Sequence, residues 1–248
     1  MSIAILQRLK RKSANFAQFG RFPIVLDRPC LSFTIDDFPI NAWQNGHGIL
    51  ADHDVKATFY VSGGFCEGTV LGLPQYDLKT LDAVCDAGHE IGNHTFDHFN
   101  ACQVSTRKFM DSVDRNAAFF AQRIPGVEIR SFAFPYGDMT AATKYAISKR
   151  FTSARGTLHG VNVGVVEASD LRCICLQLGN LSHYDLEATL AEAAAKKAWV
   201  VVLTHDISAD PTPYGCRPDQ LRQLLTLADR NGYDIVPVGD VLARNGSA

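Results

Sequence analysis

The sequence has no apolar run long enough to cross a bilayer, no internal repeat, no low-complexity tract and no compositional break that would mark a linker. The first absence excludes a membrane-spanning helix, which needs about 20 apolar residues. The others exclude repeat solenoids and leave one folding unit in a chain of 248 residues, long enough to bury a sizeable core. Neither sign of charge is in excess: 24 Lys and Arg stand against 26 Asp and Glu, a formal net charge of -2, which speaks against a nucleic-acid binder. Disulfide-like spacings are missing as well. The seven cysteines (Cys30, Cys66, Cys85, Cys102, Cys173, Cys175 and Cys216) are odd in number and scattered. Cys173 and Cys175 alternate on a strand-like run, which puts both thiols on one face and into a core. Reduced thiols and a cytoplasmic protein are the expectation.

A secretory signal puts its charges before a long apolar stretch, whereas here the short run Ile3-Ala4-Ile5-Leu6 precedes Arg8-Leu9-Lys10-Arg11-Lys12. Residues 1–20 are therefore expected to be a basic amphipathic leader, and 21–248 the folded domain. The leader is either a solvated helix packed on that domain or a peripheral contact with the inner face of the membrane, so membrane association is expected to be weak or nil. The sequence does not address the oligomeric state.

What is present from Arg21 onward is an alternation of apolar strand-like runs with segments of helical period, the pattern of parallel strands joined by crossover helices. Strands are expected near Cys30–Thr34, Ala57–Val61, His89–Gly92, Ser131–Phe134, Phe151–Ala154, Arg172–Leu176, Val200–Thr204 and Asp234–Pro237. The clearest helices run Lys79–Ala87, Thr106–Arg123, Thr140–Lys149, Leu186–Lys197 and Pro218–Asn231. The residues by themselves say α/β.

Three strand ends carry titratable groups. His94 and His98, with three residues between them, lie on a turn or helix that would face both imidazoles one way, as a shared metal ion requires. Two capping or surface histidines would leave the same trace. Asp36-Asp37 closes the apolar run Cys30–Ile35; two adjacent carboxylates are costly unless something positive sits between them, although an Asp can also cap a helix. His205 closes Val200–Thr204 in the same manner.

Phe33-Thr34-Ile35-Asp36-Asp37, His94-Thr95-Phe96-Asp97-His98, Phe132-Ala133-Phe134-Pro135-Tyr136-Gly137 and Leu203-Thr204-His205 occur in the order of the motifs of the polysaccharide deacetylase superfamily, carbohydrate esterase family 4. Over roughly residues 30–240 the chain resembles that family and its chitooligosaccharide deacetylase-like members. The resemblance implies a single-domain, distorted parallel (β/α) barrel of about seven strands, with the site at the carboxyl ends of the strands. It also implies that Asp37, His94 and His98 hold one divalent ion. Zinc is the first expectation, with cobalt, nickel or manganese allowed by the carboxylate. Asp36 is then the general base, His205 the acid, and the backbone amide of Tyr136 in the Pro135-Tyr136-Gly137 turn a donor to the oxyanion. Pro135, Tyr136 and Tyr214 are expected to contact substrate, the last from the rim loop Asp210–Cys216. His89 and Glu90 read as structural, and His47, His53, His159 and His183 as surface or capping residues.

Two departures stand out. The position at which the family commonly carries an arginine to orient the base is Ala133, and the aspartate-containing motif that supports the acid histidine is not recognisable. A buried catalytic carboxylate needs a cation to hold its rotamer. Arg155, on the strand after the one bearing Ala133, is the candidate to reach over that small residue and bind Asp36 bidentately; a surface arginine capping a loop is the alternative.

The expected function is metal-dependent hydrolysis of N-acetyl, or else O-acetyl, groups on a sugar, glycan or glycan precursor. Hydrolysis of a non-peptide C–N bond in a small amide would use the same site, and a catalytically impaired carbohydrate-binding relative would keep the fold without the chemistry.

Overall fold

The structure is a computed structural model that describes residues 13, 14 and 16–244. Most of the leader expected over 1–20 lies outside the described residues, including Ile3 to Lys12. Ala14 is buried in the apolar cluster of Phe109, Phe132 and Phe134.

Among the described residues twelve strands run, in chain order, β1 (Arg21–Ile24), β2 (Cys30–Asp37), β3 (Thr58–Val61), β4 (Thr69–Val70), β5 (Leu73–Pro74), β6 (Glu90–Asn93), β7 (Ser131–Ala133), β8 (Ser153–His159), β9 (Gly164–Glu167), β10 (Leu171–Cys175), β11 (Trp199–Thr204) and β12 (Asp234–Ile235). Seven of them form a closed parallel barrel in the order β2-β3-β6-β7-β8-β10-β11, with β11 returning to pair with β2 from Trp199↔Cys30 to Thr204↔Ile35. The distortion is concentrated at β6 and β7, which share one paired position, Asn93↔Phe132. Short β12 pairs with Cys30 and Leu31, the start of β2 that β3 leaves free.

β2 explains how a run without polar–apolar alternation serves a barrel. Leu31, Phe33 and Ile35 join the apolar layer under the helices. Ser32, Thr34 and Asp36, also buried, turn to the interior, where Ser32 Oγ accepts from Trp199 Nε1 at 3.0 Å and the Thr34 hydroxyl donates to Val202 O at 2.8 Å. A strand enclosed on both faces can keep small polar residues only if each finds a partner.

From Arg21 onward, α-helices run Ile40–Asp52, Leu78–Asp86, Thr106–Arg123, Ala141–Ser148, Leu186–Ala195, Pro218–Arg230 and Val238–Arg244 among the described residues. Several begin where a side chain satisfies a free amide: Asp77 accepts from Thr80 N, Ser105 from Lys108 N and Asp185 from Ala188 N. Ile40–Asp52 has no such signal. It starts after Pro39 with no side-chain cap and contains Gly46, whose missing Cβ leaves room for Ile207 Cδ1.

Three expectations shift. The strand expected at Phe151–Ala154 runs Ser153–His159, so Arg155 lies within it and pairs with Ala133. The strand expected to reach Pro237 stops at Ile235, because a helix begins at Val238. Of the turn or helix expected for His94 and His98 the structure has the turn, a bent loop with Thr95 at φ 61° and His98 at φ 54°. Cys173 is fully buried as expected, but Cys175 is only half-buried and lines the cleft described below. All seven cysteines are free thiols, and no helix among the described residues is long and apolar enough to cross a membrane.

Candidate metal centre and active-site cleft

A cleft of about 1100 Å³ opens over the carboxyl ends of the barrel strands, lined by Asp36, Asp37, His94, His98, Tyr136 and His205 among others. Parallel strands deliver these residues to one end of the barrel because the chain leaves every strand on the same side.

At the centre, Asp37 Oδ1 lies 3.3 Å from His94 Nε2 and 3.0 Å from His98 Nε2. The three donor atoms fall within 4.8 Å of one another. Burial works to raise the Asp37 pKa, but the His94 and His98 imidazoles outweigh it and hold the carboxyl well below the ordinary range. His94 shows the converse: burial favours the neutral ring, but Asp37 and Asp36 raise its pKa.

Local structure fixes this geometry. His94 Nδ1 is 2.8 Å from the Ala133 carbonyl, a contact that needs a ring proton on Nδ1 and turns Nε2 toward Asp37. The loop to His98 is tied down on both sides. Thr95 N donates to Asn93 Oδ1 at 2.8 Å, and Ser112 Oγ accepts from Asp97 N at 2.9 Å. Asp97 in turn accepts from Ser112 Oγ and Arg115 Nη2, both at 2.7 Å. These bonds hold Thr95 and His98 in a left-handed backbone that neither residue favours. Asp37 itself sits at φ 64°.

The set suits a divalent ion: one carboxylate, two imidazoles that turn Nε2 toward it, and a buried Asp37 Oδ1 with no hydrogen-bond partner beyond those rings. Three protein ligands with room beside them is the pattern of a catalytic rather than a structural zinc site.

Asp36 adjoins the centre, its Oδ2 3.9 Å from His94 Nε2. The fully buried Arg155 guanidinium lies against it, with Nη2 at 2.5 Å from Oδ1 and 2.6 Å from Oδ2. Arg155 pairs with Ala133 across the β7–β8 ladder, so both turn inward and the small Ala133 leaves space for the longer side chain. The bidentate fork expected from the sequence is not formed. One nitrogen serves both carboxylate oxygens, because Nη1 donates instead to Gly156 O at 2.9 Å. Burial opposes the Arg155 charge, but Asp36 beside it raises the guanidinium pKa.

The turn after β7 is closed by Gly137 N to Phe134 O and Asp138 N to Pro135 O, at 2.8 and 3.2 Å. Tyr136 is left-handed at φ 62°, which swings its ring outward to 4.6 Å from the His98 ring. Burial, and Asp37 nearby, raise the Tyr136 pKa. Gly137 at φ +64° could not carry a Cβ, which would lie 2.1 Å from Thr157 Oγ1. Pro135 departs from expectation: its ring is buried and does not line the cleft, so it shapes the turn without facing substrate.

His205 follows β11, its Nδ1 3.3 Å from Gln177 Nε2; Gln177 is anchored by Asn180 Nδ2 donating to its Oε1 at 2.7 Å. The rim loop beyond is folded around buried Asp206, which accepts from Thr212 N at 3.0 Å and Thr212 Oγ1 at 2.5 Å. That holds Tyr214 at the rim, its ring 5.8 Å from His205.

Sequence reasoning missed Gln177, Asn180 and Asp206, and it missed that exposed His159 and His183 line the cleft with Tyr184. Gln177 sits where the absent support aspartate would be needed, and that absence was the available signal. His53 contacts Asp229 at 3.0 Å. His89, away from the cleft, accepts from Ala57 N at 2.9 Å through Nδ1.

Residues 25–151 match the family model described as polysaccharide deacetylase. A chitin disaccharide deacetylase of Vibrio alginolyticus is 37% identical over 86 residues, 35% of this chain and 20% of that protein. The chain spans about a third or less of the length of the curated relatives it matches. Among solved structures, a family 4 acetyl xylan esterase from Clostridium thermocellum in complex with cobalt is 19% identical with a TM-score of 0.59, covering 87% of this chain and 91% of that one. A family 4 pseudoenzyme from Bacillus anthracis, BA3943, is 19% identical with a TM-score of 0.60, covering 87% and 66%.

Proposed function

The chain belongs to the polysaccharide deacetylase family, and from that premise we propose that it is a metal-dependent hydrolase removing acetyl groups, N-acetyl before O-acetyl, from a sugar or glycan precursor. The observation that carries this reading is the orphaned, buried Asp37 Oδ1 between two imidazoles with Asp36 at their side. A site needing only to bind sugar has no use for a carboxylate ion pair beneath a ligand set.

Asp37, His94 and His98 would hold the ion, zinc by the donor set. When bound, the ion supplies Lewis-acid chemistry: it polarises a carbonyl and acidifies water to a pKa of about 7. Asp36 takes the proton from the attacking water, and Arg155 holds its carboxylate in the one rotamer that faces the centre. The water oxygen joins the acetyl carbon, and the Tyr136 amide, which the Pro135 turn does not use for closure, donates to the developing oxyanion. His205, oriented by Gln177, then gives its proton to the departing nitrogen or oxygen as the acyl bond breaks. Seven free thiols support a cytoplasmic site of action.

The test is acetate release from a panel of acetylated sugars, sugar esters and small amides, with and without chelator. Release from N-acetylated sugars that stops on chelation and returns with zinc is the expected result. Sugar binding without release from any member would leave a carbohydrate-binding relative.

A further inference from the structure

The cleft has two unlike walls. In barrel order β3 lies across the mouth from β8 and β10. The far wall, on the end of β8 and after β10, presents polar and aromatic groups, among them Thr157, His159, Asn180 and Tyr184. The near wall follows β3 and is mostly apolar: Phe65, Val70, Leu71 and Leu73, with Pro39 beside them and Gln75 as its polar member. Phe65 joins it to the candidate metal centre, its ring 5.2 Å from that of His98.

The near wall is built by the β4–β5 hairpin, whose two-residue turn is Leu71-Gly72 at φ 50° and 79°. Such turns take Asn or Asp before Gly, because the first residue must be left-handed and faces water. Leucine is poor on both counts, yet Leu71 is 74% exposed at the edge of the cleft. The hairpin is held in place: Gln75 N donates to Gly68 O at 2.9 Å, Glu67 N to Tyr76 O at 2.8 Å, and Pro39 bridges to Gln75. A fixed hairpin that spends an unfavourable turn residue on presenting a leucine to the substrate cleft points to an apolar ligand there.

We propose that the substrate is amphiphilic: an acetylated sugar whose polar body lies on the histidine- and tyrosine-bearing wall and whose apolar aglycone, an alkyl-type chain, lies on the hairpin against Leu71. The proposal rests on the deacetylase reading and deepens it. Leu71 is a specificity determinant, acting on binding and not on the acetyl-transfer chemistry.

The experiment compares diacetylchitobiose with its octyl glycoside, below the micellar concentration, by acetate release and by calorimetric binding. For the wild type, kcat/KM for the octyl compound exceeds that for the free sugar by about tenfold or more, mainly through KM, the gain expected from burying about two methylenes. Leu71→Asn suits the turn, so it folds, and it brings the ratio to within about twofold while turnover of the free sugar is unchanged. Equal handling of both compounds by the wild type, or a preference that survives Leu71→Asn, overturns the proposal. So does Leu71-dependent sedimentation with sugar-free phosphatidylcholine vesicles, which would make the hairpin a membrane contact. If neither compound releases acetate, the deacetylase reading fails, and the calorimetric comparison still decides whether the hairpin takes the chain.

Discussion

Replacing Arg155 by methionine keeps most of the side-chain volume and removes the cation beneath Asp36. Both groups are buried, Arg155 fully and Asp36 to 4% exposure, with two contacts of 2.5 and 2.6 Å between them. The variant leaves the Asp36 carboxylate enclosed without its partner and strands the Gly156 carbonyl that Nη1 served. Breaking such a pair from one side costs about 3–5 kcal/mol. Asp36→Asn, which leaves the guanidinium uncompensated, should cost a similar amount. The double variant Arg155→Met/Asp36→Asn removes both charges, so its cost should fall short of the sum of the singles by about 2–3 kcal/mol. The assay is urea unfolding in chelator, so that no bound ion replaces the missing cation. A midpoint lowered by about 1–2 M is expected for each single variant. Additivity of the two within about 0.5 kcal/mol would refute the ion pair. Arg155→Lys separates charge from shape: because one nitrogen serves both oxygens, lysine should retain part of the turnover, whereas Arg155→Ala should lose about a hundredfold. Near-native kcat in both would mean that Asp36 is oriented by other groups.

With His205 as the acid, His205→Ala should lower kcat about a hundredfold with little change in KM; near-native turnover in His205→Ala would put the acid elsewhere. Gln177→Leu should lower kcat about tenfold with little change in KM, and Gln177→Glu should recover part of it; a loss confined to KM would make Gln177 a substrate contact. Burial, aided by Lys56 and His47, lowers the His89 pKa to about 4 from 6.5. The native ring stays neutral where the unfolded chain takes up a proton, so stability is full above pH 6.5 and falls as pH drops from there toward 4. The loss is at most about 3 kcal/mol, reduced by the solvent that still reaches the ring, and it should largely vanish in His89→Gln when urea midpoints are compared across that range.

The strand ends were legible because parallel strands enclosed on both faces read as apolar runs, and a run that stops at Asp36-Asp37 or His205 announces what it carries to the barrel mouth. Arg155 could be singled out only by asking what replaces an arginine at Ala133. Its contact with a single nitrogen could not, since that depends on the Gly156 carbonyl competing for the other. The left-handed loop at Thr95 and His98 has no glycine to betray it, being imposed by Asn93 just before it and by Ser112 and Arg115 from elsewhere in the chain. Helix Ile40–Asp52 hid behind two glycines and an uncapped start. The β4–β5 hairpin, two residues a side, is too short for periodicity to show. Gln177 carries no motif, and its place is known only once β10 is set beside β11.

The most direct measurement is acetate release from diacetylchitobiose by wild type and Asp36→Asn, with metal content determined on the same samples. Both proteins should carry one divalent ion per chain, and Asp36→Asn should release acetate about a hundred to ten thousand times more slowly. Metal-free wild-type protein that still releases acetate, or Asp36→Asn that turns over like the wild type, would contradict the account.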